Sequence, residues 1–357
     1  MVFLEILINY IIPIIYDSFV TLILVLLFLF IFRIKDSNIR ILFFFFPLIK
    51  PIIVIAEKIN VNEIALGSRD FTGGIRFPDP LKFFPPYSKI EIFDMVNFSE
   101  LNNFILVIAL ISISIILIAR WTNIALLYRS LAYEEKVSSK EVPELYSIID
   151  NYVERIKVKA PDISLTHRKY YTPFIVGIKT CTLVLSPTLI EKLNNEEKET
   201  LINHELSHIK RRDNLIGWIA LILRDLNFFN PFAYITYYLI KSEQESACDK
   251  LMTKYSEKSP KQIAKNFLNS ILKLKSVQED YVLKEKHSIN YGSPYLFKRG
   301  INFNIIHNRV RNILKVNPNK IHAKIFPKTS MYLLFLFLLF IQITIVLKFC
   351  NTLIVLR

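Results

Sequence analysis

His204, Glu205 and His208 are the residues whose types and spacing are best suited to chemistry. They form the run His204-Glu205-Leu206-Ser207-His208, which reads as HExxH. On a helix, positions i and i+4 share a face, so two imidazoles at this spacing can converge on one metal ion. Glu205 can then reach a water at that ion as general base. Zn2+ suits imidazole ligands and an open coordination position. Such a site in a hydrolase takes three protein ligands. The run Glu243-Gln244-Glu245-Ser246-Ala247-Cys248-Asp249 is the best source of the third. Glu245 is the preferred ligand and Glu243 its competitor. Asp249, four residues on, shares the helical face of Glu245 and can accept from a ligand histidine's free N–H. Cys248 reads as a packed small residue.

The motif needs a helix to hold it. Asn194 is a plausible N-cap with Glu197 as its capping-box partner, starting a helix that carries Leu201, Ile202, Leu206 and Ile209 to about Arg212. Upstream, 141–156 reads as an amphipathic helix through Leu145, Ile148, Ile149 and Val153. Asp162 to Thr166 and Thr180 to Leu185 read as strands by alternation and β-branching. Downstream, Leu215 to Ile240 is apolar but cut by Arg224, Asp225, Asn227 and Asn230-Pro231. It reads as two short apolar helices against the membrane or a helix bundle.

Composition sets the frame. The 357 residues are 52% hydrophobic, with 28 Phe and only 7 Gly, which points to membrane segments. The net charge of +14 is spread along the chain without a nucleic-acid-binding module, so no direct nucleic acid binding is expected. Cys181, Cys248 and Cys350 form no disulfide framework. No basic n-region or cleavage site marks a signal peptide. Spans are expected near 14–32, within 41–56 (a kinked span broken by Pro47, Lys50 and Pro51, or a re-entrant segment), at 104–119 and at 331–347. Asp17 reads as an interfacial residue. The short loop at 33–40 and the segment 120–330 are net positive, whereas 57–102 is net negative. Four spans with the N-terminus outside therefore put both basic regions in the cytoplasm.

The expected fold is an α+β membrane protein. About four transmembrane helices carry a cytoplasmic zincin-like protease domain between the third and fourth. The expected division is 1–56 for two spans, 57–102 for an extracytoplasmic loop, 103–120 for the third span, 121–330 for the metallopeptidase domain and 331–350 for the fourth span. The site is expected at the inner face of the cytoplasmic membrane.

The chain resembles the membrane metallopeptidases of the BlaR/MecR signal-transducer type, which are HExxH gluzincins. The resemblance is carried by HELSHIKRRD at 204–213, the apolar hairpin with Phe229-Asn230-Pro231, and EQESACD at 243–249. The stretch from Thr172 to Pro187 is also similar to that family's edge strand ahead of the zinc helix. The resemblance implies His204, His208 and Glu245 as zinc ligands, Glu205 as catalytic base and Asp249 as the acid orienting a ligand histidine. It implies a cytoplasmic protein substrate such as a transcriptional repressor, or the chain itself. The CAAX prenyl proteases and heat-shock membrane proteases share HExxH and ExxxD and are the nearest alternatives. A non-catalytic receptor or scaffold pinned by zinc is a further one. Sensor members of the family carry a penicillin-binding domain after the last span. Asn351 to Arg357 alone follow it here, so sensing is expected to fall to the 57–102 loop or to a separate sensor protein. An extended substrate is expected to add to the edge strand near 174–185. His287, Tyr291, Arg299 and Arg309 are candidate oxyanion stabilisers.

Overall fold

The computed structural model describes residues 11–49, most of 111–130, 136–166, 172–284, 303–316 and 329–338. The chain is mostly helical with one small sheet, and it divides into two compact units.

One unit comprises Thr122–Ile219 and Lys241–Ala323. It opens with α3 (Pro143–Ile156), which has proline in its first turn and ends at Lys157 in the left-handed region. That proline costs nothing, because its missing N–H has no intrahelical partner there. The strands β1 (Asp162–Leu165), β2 (Phe174–Val176) and β3 (Thr182–Leu185) form a sheet in the order β1-β3-β2. β3 runs parallel to β1, with Ile163 opposite Leu183, and antiparallel to β2, with Ile175 opposite Leu183. Leu183, Val184 and Leu185 are all buried, as an apolar run in a central strand should be. This corrects the expectation that the edge extends over 174–185: β2 is the edge and β3 is interior.

After β3 come α4 (Pro187–Lys192) and α5 (Asn195–Arg211). The Asn194 side chain accepts from the Glu197 N–H, and the Glu197 carboxylate accepts from the Asn194 N–H. This reciprocal box starts α5 as the sequence predicts, and it satisfies two donors that a helix start would otherwise strand. One face of α5 packs Ile202 and Leu206 against Ile149, Tyr152, Ile163 and Leu185. The Tyr152 hydroxyl also meets Ser207 Oγ at 2.9 Å in the interior. The apolar face thus pins α5 to α3 and the sheet, which fixes the rotation of the helix and the direction of its histidines.

α6 (Asp213–Leu226) and α7 (Pro231–Tyr255) follow; this unit holds the start of α6 and α7 from Lys241 on. α7 is one continuous helix of 25 residues. The expected pair of short apolar helices is therefore one short helix and one long one, whose second half carries Glu245 and Asp249. α8 (Pro260–Lys284) and α9 (Phe303–Leu314) complete this unit. Met252 of α7, Phe267 and Ile271 of α8 and Ile313 of α9 make a second core cluster, which brings α9 to α7.

The other unit comprises Met1–Trp121, Ala220–Ile240 and Lys324–Arg357. It contains α1 (Ile12–Ile31) and α2 (Ser37–Phe44). α1 is the one helix among the described residues long and apolar enough to cross a membrane, over Ile14–Ile31. It leaves Leu27, Phe30 and Ile31 exposed. Shorter apolar helices cover Ser37–Ile49 and Thr329–Leu338, where Phe46 and Phe335 rings lie 4.9 Å apart. The polar residues that interrupt the apolar run at 215–240 find partners inside this unit. Asn230 donates to Ser18 Oγ at 2.6 Å, and Asn227 to the Leu48 carbonyl at 3.0 Å. Arg224 pairs with Asp225 at 2.6 Å. Buried polar groups are tolerated on these terms. The end of the expected second span, most of the third, the end of the fourth and the 57–102 loop lie outside the described residues.

Candidate metal centre

The centre is built by α5 and α7 and closed by α9. His204 and His208 project from one face of α5, with ring centroids 5.1 Å apart and planes at 89°. Glu245 of α7 faces both. Its Oε2 lies 3.3 Å from His204 Nε2, and its Oε1 lies 3.7 Å from His208 Nε2. One ligand atom from each of these three residues falls within 4.8 Å of the others. Glu243 joins no such group among the described residues.

The second nitrogen of each imidazole is taken by a carboxylate. His204 Nδ1 lies 3.1 Å from Asp249 Oδ1, and His208 Nδ1 lies 2.9 Å from Asp213 Oδ2. Carboxylates there fix the tautomer with the proton on Nδ1 and leave the Nε2 lone pair for an ion. The donor set and its orientation therefore fit a metal.

Asp213 is the residue that sequence reasoning missed. It follows the basic run Lys210-Arg211-Arg212, which reads from the sequence as a cluster facing lipid headgroups, with substrate binding as the alternative. Arg212 takes the left-handed region at φ 56, which ends α5 and turns the chain so that Asp213 meets His208. Asp213 also accepts from Arg211 Nε at 3.0 Å, and its backbone carbonyl accepts from Gln244 of α7 at 3.1 Å. Cys248 Sγ lies 3.2 Å from both His208 Nδ1 and Asp213 Oδ2. It is fully buried, and burial pushes its thiol well above the ordinary value. Packed as expected, it nonetheless touches a candidate ligand.

Arg309 of α9 enters from the other side. Its Nε and Nη2 grip Asp249 at 2.9 and 2.7 Å, its Nη1 reaches Glu245 at 3.1 Å, and Nη2 sits 3.1 Å from His204 Nε2. The guanidinium lies over Phe267 at 4.5 Å. The forked donor pair matches a carboxylate bidentately, which lysine cannot do. Arg309 thus holds the acids in place, whereas the sequence suggested it only as an oxyanion stabiliser. His287, Tyr291 and Arg299 lie outside the described residues.

Charge follows from this packing. Burial alone would raise the Glu245 carboxyl, but Arg309 and the two histidines more than reverse it and hold it below the usual carboxylate range. Burial and Arg309 act likewise on Asp249, with the same net result. Burial lowers His204, and Arg309 lowers it further. Its bonds to Asp249 and Glu245 outweigh both and bring it to about 9. Glu205 is different. Burial pushes it up, His204 and His208 pull only part of the way back, and it stays above the carboxylate range. It makes no hydrogen bond to any described residue, so its oxygens are left for water.

The comparisons give the family. The profile of the BlaR1 peptidase M56 family matches residues 89–291, more than half of the chain, so the chain belongs to that family. The methicillin resistance mecR1 protein of Staphylococcus aureus is 29% identical over 133 residues, covering 37% of this chain and 21% of that protein. A protease HtpX homolog of Thermococcus kodakarensis is 35% identical over 86 residues, covering 24% of this chain and 30% of the relative. One from Bacteroides fragilis is 28% identical over 128 residues, covering 35% and 38%. The chain spans well under two thirds of each relative's length. The family description and the HtpX names both say protease, and a metallopeptidase needs a metal.

Proposed function

We propose that this chain is a membrane-embedded zinc-dependent endopeptidase that cuts a cytoplasmic, repressor-like protein, or its own chain, in transmembrane signalling. One observation carries the reading. Two imidazole Nε2 atoms and the Glu245 carboxylate converge while both Nδ1 atoms are held by carboxylates. His204, His208 and Glu245 would hold Zn2+, for which two imidazoles, one carboxylate and an open position are a fitting set. When bound, zinc would supply the Lewis acidity that polarises a peptide carbonyl and acidifies water.

The protein's own groups supply the rest. Glu205 takes the proton of the attacking water and hands it to the leaving amine. It makes no hydrogen bond to a described residue, so its oxygens are available for both halves of that task. Asp249 and Asp213 keep His204 and His208 in the ligand tautomer. Arg309 anchors Asp249 and balances the charge of Glu245. The layout that goes with this reading has two spans in 1–56, an extracytoplasmic loop at 57–102, a third span at 103–120, the peptidase at 121–330 facing the cytoplasm and a fourth span at 331–350. The exposed apolar face of α1 and the charge asymmetry of the loops support it.

The test compares purified wild type with Glu205→Gln and Glu245→Ala. Glu205→Gln should keep stoichiometric zinc while proteolysis of the chain or of a co-expressed repressor falls by at least ~100-fold, the scale of general base catalysis. Glu245→Ala should lose the zinc. Undiminished cleavage by Glu205→Gln would overturn the mechanism.

A further inference from the structure

His208 has a second neighbourhood. Beyond the C-terminal end of α5 lies a cavity of about 450 Å³, walled by the β2–β3 turn at 177–181 and by the start of α6. His208 lines it from the side of the candidate metal centre, so an occupant would lie next to the reacting atoms. The size is that of a small-ligand or side-chain pocket.

Its wall is pre-formed. Gly177 stands at φ +98, and a Cβ placed there would lie 1.9 Å from the Thr180 carbonyl oxygen, so no side chain fits the turn. The Asn214 amide donates to the carbonyls of Ile175 and Gly177, at 3.1 and 2.8 Å. These bonds tie the edge strand and its turn to the helix that follows the ligand histidines. They also occupy carbonyls that an added strand would need, so a substrate pairing with β2 over Ile175–Gly177 must displace Asn214.

The charge of the lining is one-sided. Lys159, Lys179 and Arg212 line it without an ion-pair partner among the described residues. Its one acid, Asp162, is already paired with Lys136. The apolar lining, including Ile178 and Leu215, suits the aliphatic stem of a side chain whose head reaches the cations. Opposite charge in a walled recess discriminates among partners more sharply than it adds affinity.

We propose that this cavity is the specificity pocket of the peptidase, and that it takes an acidic side chain, Glu or Asp, of an extended polypeptide next to the bond that is cut. The proposal rests on the peptidase reading above, and its test separates the two.

The full chain carrying Glu205→Gln, in lipid nanodiscs with zinc, is titrated with a fluorescein-labelled dodecapeptide of Ala and Gln bearing a central Glu-Glu pair. The same peptide with Gln-Gln or Lys-Lys is the comparison. The Glu peptide should bind about tenfold tighter than the Gln peptide, and the Lys peptide weakest. Adding Lys179→Glu and Arg212→Glu should reverse the order. Adding Lys261→Glu and Lys265→Glu, on exposed α8 positions outside the cavity, should leave it unchanged. If both double variants weaken the preference equally, bulk charge is the cause and the pocket assignment falls. Wild type is then given a peptide library and the cuts are mapped by mass spectrometry. Cuts with no acidic residue favoured at any position beside them overturn the pocket while keeping the peptidase. Acid-selective binding without any cut overturns the peptidase and keeps the pocket.

Discussion

Two regions meet at His208 and follow opposite electrostatic rules. On one side, the candidate metal corner is buried and its acids are paired. Asp249, Glu245 and Asp213 each have a cationic or imidazole partner, and Arg309 serves two of the acids. On the other side, the cavity is open, and its three exposed cations have no ion-pair partner among the described residues. On the proposed reading the contrast is one of purpose. A group that must hold an ion in fixed geometry is locked beforehand by its neighbours. A group that must recognise a passing chain keeps its charge free until the partner arrives.

Four experiments would break or sharpen that contrast, beginning with the largest effect. Asp249→Ala leaves Arg309 buried without its bidentate partner, and losing half of a buried ion pair costs about 3–5 kcal/mol. Denaturant unfolding of the metal-free protein should register that loss. The double variant Asp249→Ala/Arg309→Met should recover part of it, and no recovery would mean that the corner is not held by this pair. Next, Asp213→Ala should weaken zinc binding by about 10–100-fold, the usual cost of losing an outer partner of a ligand histidine. Competition with a chelating dye measures it, and unchanged affinity would show that His208 needs no such support.

The third experiment treats the two regions as one. Both hang on α5, whose start is fixed by Asn194. Asn194→Ala should lower stability by about 1 kcal/mol. Zinc affinity and acidic-peptide binding should then change together or not at all, since the box lies more than two turns from His204. A change in one alone would separate the regions. The smallest effect concerns the cavity thiol. Burial raises Cys181 above an ordinary thiol. At a given pH it therefore carries less thiolate, and the thiolate is what alkylates. Iodoacetamide should label it a few-fold more slowly than an exposed cysteine, with a pH midpoint shifted upward. A downward shift would place the cavity's cations directly on the thiol.

Some of this was legible in the chain. The HExxH spacing, the Asn194–Glu197 box and the apolar positions of α5 depend on helical period and local hydrogen bonds, which residue order sets directly. α3, β1 and β3 follow for the same reason, by periodicity. Errors arose where position depends on distant partners. The order β1-β3-β2 makes β3 central, whereas the sequence suggested one edge strand near 174–185. The continuity of α7 through its polar stretch depends on packing that no helical period in the sequence reveals.

The sequence by itself determined that two imidazoles share one helix face with a carboxylate base beside them, and that a carboxylate pair four residues apart stands ready on another. Only the tertiary structure decided what fixes them. Arg309 is 60 residues from Asp249 in sequence and reaches it because Ile313 is buried with Met252 and Phe267. Asp213 is only five residues from His208, yet it turns back because Arg212 adopts a left-handed conformation that its side chain does not favour. Local periodicity sets which residues can face a metal, whereas long-range packing and one disfavoured backbone turn set which charges stand behind them.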